Sequence, residues 1–286
     1  AGNKTLFTKS VARTLLAKIY AEKPLRDYAK VIRYCDEVKA DGFDLVEDFN
    51  DLFGMNTAGT DAKMRNTKES ILEAQFTPGA GNWCTWMFGR DLVNWNTNFT
   101  WAKWVTPSRD LINAFKKEGD EVRFKESVVY YDCKWSNYYP SDNYPFMYKC
   151  RSANSSIIKY RYADVLLLKA EALIMQDTPD LDGAADIIDE VRERAKLGAL
   201  SASTRSNKNA MLNALLKERR LELAFEGQRW FDLVRLDKVE EVMNAVYAKD
   251  SGRKAQVYAF DKTSYRLPIP QSVIDANDKI HQNPGY

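Results

Sequence analysis

Residues 218–236 read E-R-R-L-E-L-A-F-E-G-Q-R-W-F-D-L-V-R-L, from Glu218 to Leu236. Leu221, Leu223, Phe225, Trp230, Phe231 and Leu233 are too closely spaced for a solvent-facing helix. A buried helix cannot carry Glu222, Glu226, Arg229 and Asp232 unpaired, because a buried charge without a partner costs several kcal/mol in round terms. The stretch therefore predicts two helices, broken near Gly227, with an ion-pair network inside. Glu218, Glu222 and Glu226 recur at i, i+4 and i+8 and share one helix face. Arg219, Arg220, Arg229 and Arg235 stand close in sequence to neutralise them. A glycosidase needs two carboxylates facing each other across a sugar. Three on one face do not meet that need, so the stretch reads as structural and no catalytic residue is assigned.

Helical hairpins flank this anchor. From about Thr8, Val11, Leu15, Leu16 and Ile19 recur at helical spacing, with Ala12 and Ala17 as small contacts. Pro24 is placed at the start of a second helix, where its missing N–H costs nothing. Tyr28, Val31, Ile32 and Cys35 line that helix, and Gly42 ends it. A second pair follows the same plan. Ala163, Leu166, Leu167, Ala170, Leu173 and Ile174 form one stripe. After the turn Asp177–Asp180, Ala184, Ile187, Ile188, Val191 and Ala195 form the next. A third helical region runs from about Asn209 to Val246. Tightly joined helices of this length, with small residues where they cross, match the tetratricopeptide unit; plain helix packing gives the same pattern. The fold class expected is mainly α, with tetratricopeptide-like hairpins, a long irregular aromatic-rich insertion and a few short strands.

The insertion spans residues 43–160. Ile71–Phe76 and Arg123–Tyr131 read as short strands, and Pro107 with Ser108 opens a helix carrying Leu111, Ile112 and Phe115. Its most informative segment, Asn82–Trp104, holds Trp83, Trp86, Trp95, Trp101 and Trp104, five of the chain's seven tryptophans. Asn82, Asn94, Asn96, Asn98, Arg90 and Asp91 are interleaved. Indole faces stack on the apolar face of a pyranose, amides and carboxylates bond its hydroxyls, and tryptophan brings large rigid area at low entropic cost. The same rings also suit a core beneath the loop. Trp135, Ser136, Asn137, Tyr138 and Tyr139, continuing to Asp142, Asn143 and Tyr144, offer a second wall. The candidate ligand-binding set is Trp83, Trp86, Trp95, Trp101, Trp104, Asn94, Asn96, Arg90, Trp135 and Tyr138.

Composition narrows the classes. With 42 basic and 40 acidic residues, the net charge of +2 gives no field to draw nucleic acid or an anionic membrane. The single histidine, His281, argues against His-built zinc sites and most His-dependent triads. Asp180, Asp182, Gly183 and Asp189 match a calcium loop poorly, and Asp182 suits a helix N-terminus better. No metal or cofactor is assigned. Cys35, Cys84, Cys133 and Cys150 lack C-x-x-C spacing; they are free core thiols or form up to two bridges, Cys133–Cys150 being the most plausible pair. The polar opening runs straight into a helix with no signal peptide, which suggests a mature fragment or a chain whose earlier part is absent.

Three segments together resemble the SusD/RagB-like outer-membrane nutrient-binding lipoproteins. Tyr160–Ala172 reads Y-R-Y-A-D-V-L-L-L-K-A-E-A, Glu218–Arg235 reads as quoted above, and the C-terminus carries Leu267-Pro268-Ile269-Pro270, Asn277 and Gln282-Asn283-Pro284-Gly285-Tyr286. The resemblance spans nearly the whole chain and implies a single SusD-like domain over 1–286: a hairpin at 1–42, an irregular ligand-binding region at 43–160 and a helical scaffold at 161–286. It implies a non-catalytic protein that binds oligosaccharide or polysaccharide on the extracellular face of a Gram-negative outer membrane. Its partner would be a SusC-like TonB-dependent transporter. The membrane link would be a lipid anchor on an N-terminal part not seen in this chain. A peptide-binding member of the same family and a tetratricopeptide-type interaction scaffold are the rival readings.

Overall fold

The computed structural model describes residues 2–76, 105–133, 138–250 and 256–286. These are mainly α-helical. Helix α1 (Lys9–Ala21) starts where the Thr8 side chain accepts the Val11 N–H, and α2 (Tyr28–Ala40) starts where Asp27 accepts from Lys30. Pro24 sits in a 3-10 turn between them, Lys23–Leu25, and not at the start of α2, because Asp27 supplies the cap. The buried face of α1 is Val11, Thr14, Ala17 and Ala21. Of the predicted stripe, Leu15 and Ile19 face outward, at 45% and 37% exposure. Small side chains let two helices approach closely, so the face with Ala17 and Ala21 packs and the bulkier one is left over.

A short helix α3 (Asn50–Phe53) and strand β1 (Ser70–Ala74) follow. Helix α4 (Arg109–Glu118) begins as predicted, with Ser108 accepting the Leu111 N–H, and buries Leu111, Ile112 and Phe115. The predicted strand Arg123–Tyr131 is instead helix α5 (Glu121–Ser127) running into β2 (Val128–Tyr131). Asp120 accepts the Arg123 N–H and starts a helix where alternation alone suggested extended chain. Strand β3 (Tyr144–Met147) pairs antiparallel with β2, setting Val128 against Met147 and Tyr131 against Tyr144. Strand β4 (Ile157–Arg161) pairs antiparallel with β1, from Ser70 opposite Arg161 to Ala74 opposite Ile157.

The second hairpin is α6 (Tyr162–Met175) with α7 (Leu181–Arg194), the latter capped by Asp180, whose carboxylate accepts the Gly183 N–H. Asp182 lies in the first turn of α7, one position past the first helical residue. The run Val165–Leu168 is apolar because α6 is buried on nearly every side, against both α2 and α7. After α8 (Ala202–Arg205), helix α9 (Lys208–Glu222) adds Met211 and Leu215 to the same core, with Val31, Val38, Leu167, Ile174 and Ile188. Phe225 and Gly227, both at positive φ (66° and 75°), break the helical path near the position expected from the sequence.

The chain divides into two compact units, Ala1–Gln228 and Arg229–Tyr286. The second holds α10 (Arg229–Arg235), α11 (Val239–Lys249) and α12 (Gln271–Asp275). In it the Gln282 amide clasps Ile269, accepting from its N–H and donating to its C=O. Asn283 donates to Leu267 and Tyr286 to Arg266, so the P-I-P segment and the Q-N-P-G-Y end hold each other. Cys35, Cys133 and Cys150 are in no disulfide, so the Cys133–Cys150 bridge is not formed.

Candidate ligand-binding site

An ion-pair lattice is centred on Glu222. Glu218 and Glu222 belong to α9, whereas Glu226 follows the turn. Arg123 of α5 donates to Glu218 at 2.5 Å and Glu222 at 3.1 Å, and bonds Asp120 at 2.5 Å. Arg161 of β4 reaches Glu222 at 2.5 Å, Glu69 at 2.7 Å and both oxygens of Glu226 at 2.7 and 2.8 Å. Arg194 of α7 joins Glu222 and Glu69, and Arg192 joins Glu118 and Glu218. The neighbouring arginines predicted as partners go elsewhere: Arg219 to Asp164, Arg220 to Asp110 and Arg235 to Asp232. Successive helical residues point about 100° apart, so residues adjacent to Glu218 and Glu222 face other elements.

Burial penalises the Glu222 carboxylate, yet Arg194, Arg161 and Arg123 outweigh that and hold it well below the usual carboxylate range. Burial raises Glu218, only partly countered by Arg123. Lys149 donates to the Glu222 carbonyl at 2.8 Å and to Glu226 at 2.6 Å. Burial pushes its ammonium down to about 8, with Glu226 pulling the other way. Every one of the three glutamates is thus bound by a cation, which leaves none disposed as a general acid facing an opposed carboxylate.

Lys149 and Glu226 also line a cavity of about 440 Å³. Phe53, Val105, Met147, Ile157, Ile158 and Phe225 give it apolar walls, and Cys150, Ser156, Lys159 and Gly227 complete the lining. Its position follows from the two sheets and the turn: Met147 ends β3, Ile157 and Ile158 open β4, and the positive φ of Phe225 and Gly227 brings 225–227 alongside. Sequence reasoning missed this cavity. One signal existed: a lysine, Lys149, directly after the apolar run Tyr144–Met147 and Tyr148.

On the β2–β3 hairpin lies an aromatic shelf. Tyr131, Tyr138, Tyr139, Tyr144, Phe146 and Tyr148 cluster around Cys133. Tyr138 and Tyr139 meet edge to face at 4.8 Å, and the Arg109 guanidinium lies over both rings, 4.4 and 4.2 Å from their centres. Arg109 also donates to the Tyr138 carbonyl, and the Tyr139 hydroxyl to Pro107. Tyr138 is half-buried here. The other sequence-predicted site residues, Trp83, Trp86, Arg90, Asn94, Trp95, Asn96, Trp101, Trp104 and Trp135, lie outside the described residues.

Paired helical hairpins, two small antiparallel sheets and a buried arginine–carboxylate lattice define a mainly α scaffold that carries an aromatic cluster on the β2–β3 hairpin. A sequence profile of the SusD family matches residues 143–286, half of the chain, and the chain belongs to that family. SusD-like protein P2 of Formosa agariphila is 33% identical over 142 residues, 48% of this chain and 27% of that protein. A SusD superfamily protein from Parabacteroides distasonis has the same fold over 100% of this chain and 64% of its own, with a TM-score of 0.75 at 23% identity. Surface glycan-binding protein A from Bacteroides thetaiotaomicron, in complex with laminarihexaose, matches 98% of this chain and 66% of its own, with a TM-score of 0.70 at 20% identity. The chain spans less than two-thirds of the length of each of these relatives.

Proposed function

We propose that the chain belongs to a non-catalytic glycan-binding protein of the outer-membrane surface, which captures oligosaccharide or polysaccharide and passes it to a SusC-like TonB-dependent transporter. The observation that carries this reading is the likeness, over 98% of the chain, to a surface glycan-binding protein that holds laminarihexaose. Family membership supports the same class. Capture would use stacking on Trp83, Trp86, Trp95, Trp101, Trp104, Trp135 and Tyr138, with Arg90, Asn94 and Asn96 bonding hydroxyls. Each such contact contributes about 1 kcal/mol, so affinity should be modest and rise with oligosaccharide length. Among the described residues no helix is long and apolar enough to cross a membrane. The membrane link we propose is a lipid anchor on the N-terminal side.

The test is isothermal titration of the chain with a panel of neutral and acidic oligosaccharides, alongside short peptides. Binding of at least one glycan series, growing tighter with chain length and weakened about tenfold or more by a paired Trp→Ala change in 83–104, is the expected result. Binding of peptides alone, or release of reducing ends from a bound polysaccharide, would overturn it.

A further inference from the structure

The cavity beside the lattice is chemically lopsided. Of the charged side chains lining it, Glu226 is already committed. It accepts from Arg161 through both oxygens and from Lys149, which fills three of the roughly four acceptor positions a carboxylate has. The charge of Lys149 is answered by Glu226. Lys159, on β4 between Ile158 and Tyr160, is exposed, and among the described residues its side chain has neither an ion pair nor a hydrogen bond. Ser156 already accepts from Arg65 at 3.2 Å, so its hydroxyl is left to donate. At Gly227 a side chain would meet nothing within 4 Å, which leaves its backbone open to the cavity. The lining side chains therefore present donors and one unanswered positive charge, with almost no acceptor capacity to spare. A neutral sugar hydroxyl both donates and accepts; an anionic oxygen only accepts. The apolar walls, Phe53, Met147, Ile157, Ile158 and Phe225, suit a ring's carbon face behind such a group.

We propose that this cavity is a subsite for an acidic sugar residue, one carrying a carboxylate or a sulfate ester, whose anionic group is held by Lys159 with Ser156 as a second donor. The inference rests on the glycan-binding reading and names the class of glycan within it. Lys149 holds the floor of the subsite and its pairing with Glu226 keeps that floor neutral, so the selectivity falls on Lys159. A surface-exposed ion contact is screened by salt, so the preference should shrink between 50 mM and 500 mM NaCl.

The experiment is a titration of the chain with matched pairs of oligosaccharides: galacturonides and glucuronides against their methyl esters, and sulfated galactans against their desulfated forms. The charged member of at least one pair should bind about tenfold more tightly, the carboxylate and sulfate arms showing which anion is taken. In Lys159→Gln the ratio between charged and neutral members should fall toward one, while Lys159→Arg keeps it. Far-UV circular dichroism confirms that both variants fold, as an exposed position allows. Equal binding of charged and neutral members, or a preference that survives Lys159→Gln, overturns the subsite and leaves the glycan reading standing. No binding of any glycan, neutral or charged, overturns both.

Discussion

Glu222 is fully buried and takes hydrogen bonds from Arg123, Arg161 and Arg194. Removing one member of such a set strands the others, and breaking a buried pair costs about 3–5 kcal/mol. Glu222→Gln should therefore lower urea-unfolding stability by about that amount at pH 7. The pH dependence has a definite sign. The folded-state pKa of Glu222 lies below its unfolded value, so its contribution is present above the ordinary carboxylate pKa of roughly 4.3 and is lost as pH falls through the folded value. The gap between the wild type and Glu222→Gln should narrow below about pH 4. A gap that stays constant from pH 7 to 3 would contradict the lattice. Lys149 has the opposite behaviour. Its folded pKa, about 8, lies below that of an unfolded lysine, so its charge disfavours folding until pH rises from about 8 toward roughly 10.4. The stability of the wild type relative to Lys149→Met should accordingly increase across that interval, and a flat difference in urea midpoints would refute the burial of the amine.

At the scale of elements, the helix ends are set by backbone geometry that single residues control. Helix α7 closes with Lys196 at φ 59°, where its N–H bonds Glu193 and the Leu197 N–H bonds Arg192. A left-handed conformation costs an L-residue about 1–2 kcal/mol and glycine almost nothing. Lys196→Gly should thus raise stability by about 1 kcal/mol, seen as a higher urea midpoint at unchanged slope; a loss would mean that the Lys196 side chain holds the turn. What the sequence made readable follows the same division between local and distant causes. The α6–α7 hairpin and the break at Gly227 were legible, because periodicity and a left-handed glycine are local signals. The start of α2 was displaced by Asp27, and the first half of the predicted strand at Arg123 by the Asp120 cap. The partners of Glu222 were not legible: Arg161 and Arg123 lie far away in sequence, and only the fold brings them together. The cavity at Lys149 and Lys159 escaped notice for the same reason, since β3, β4 and the turn at 225–227 each contribute a few residues without a shared motif. Of the sequence-predicted binding residues, only Tyr138 has a described position, under the Arg109 guanidinium.

For the molecule as a whole, the distribution of these interactions says which part can stand alone. Every lattice partner, Glu69, Glu118, Asp120, Arg123, Lys149, Arg161, Arg192, Arg194, Glu218, Glu222 and Glu226, falls within Ala1–Gln228, as does the largest apolar core. The unit Arg229–Tyr286 buries only a few apolar side chains, Leu233, Leu236 and Val239, beside the Trp230–Phe260–Tyr247 ring contacts and the polar clasps at its C-terminal end, and Phe231, Val257, Tyr258, Leu267 and Tyr286 are exposed. A segment of roughly 60 residues is near the lower limit for a self-sufficient core, and this one leaves much of its apolar inventory in water. A chain ending at Gln228 should keep a helical far-UV spectrum and unfold cooperatively in urea, whereas residues 229–286 alone should show neither. Cooperative unfolding of 229–286 by itself would mean that its own few buried contacts suffice, and a chain ending at Gln228 that melts without a transition would mean that the lattice and the apolar core do not make that unit self-sufficient.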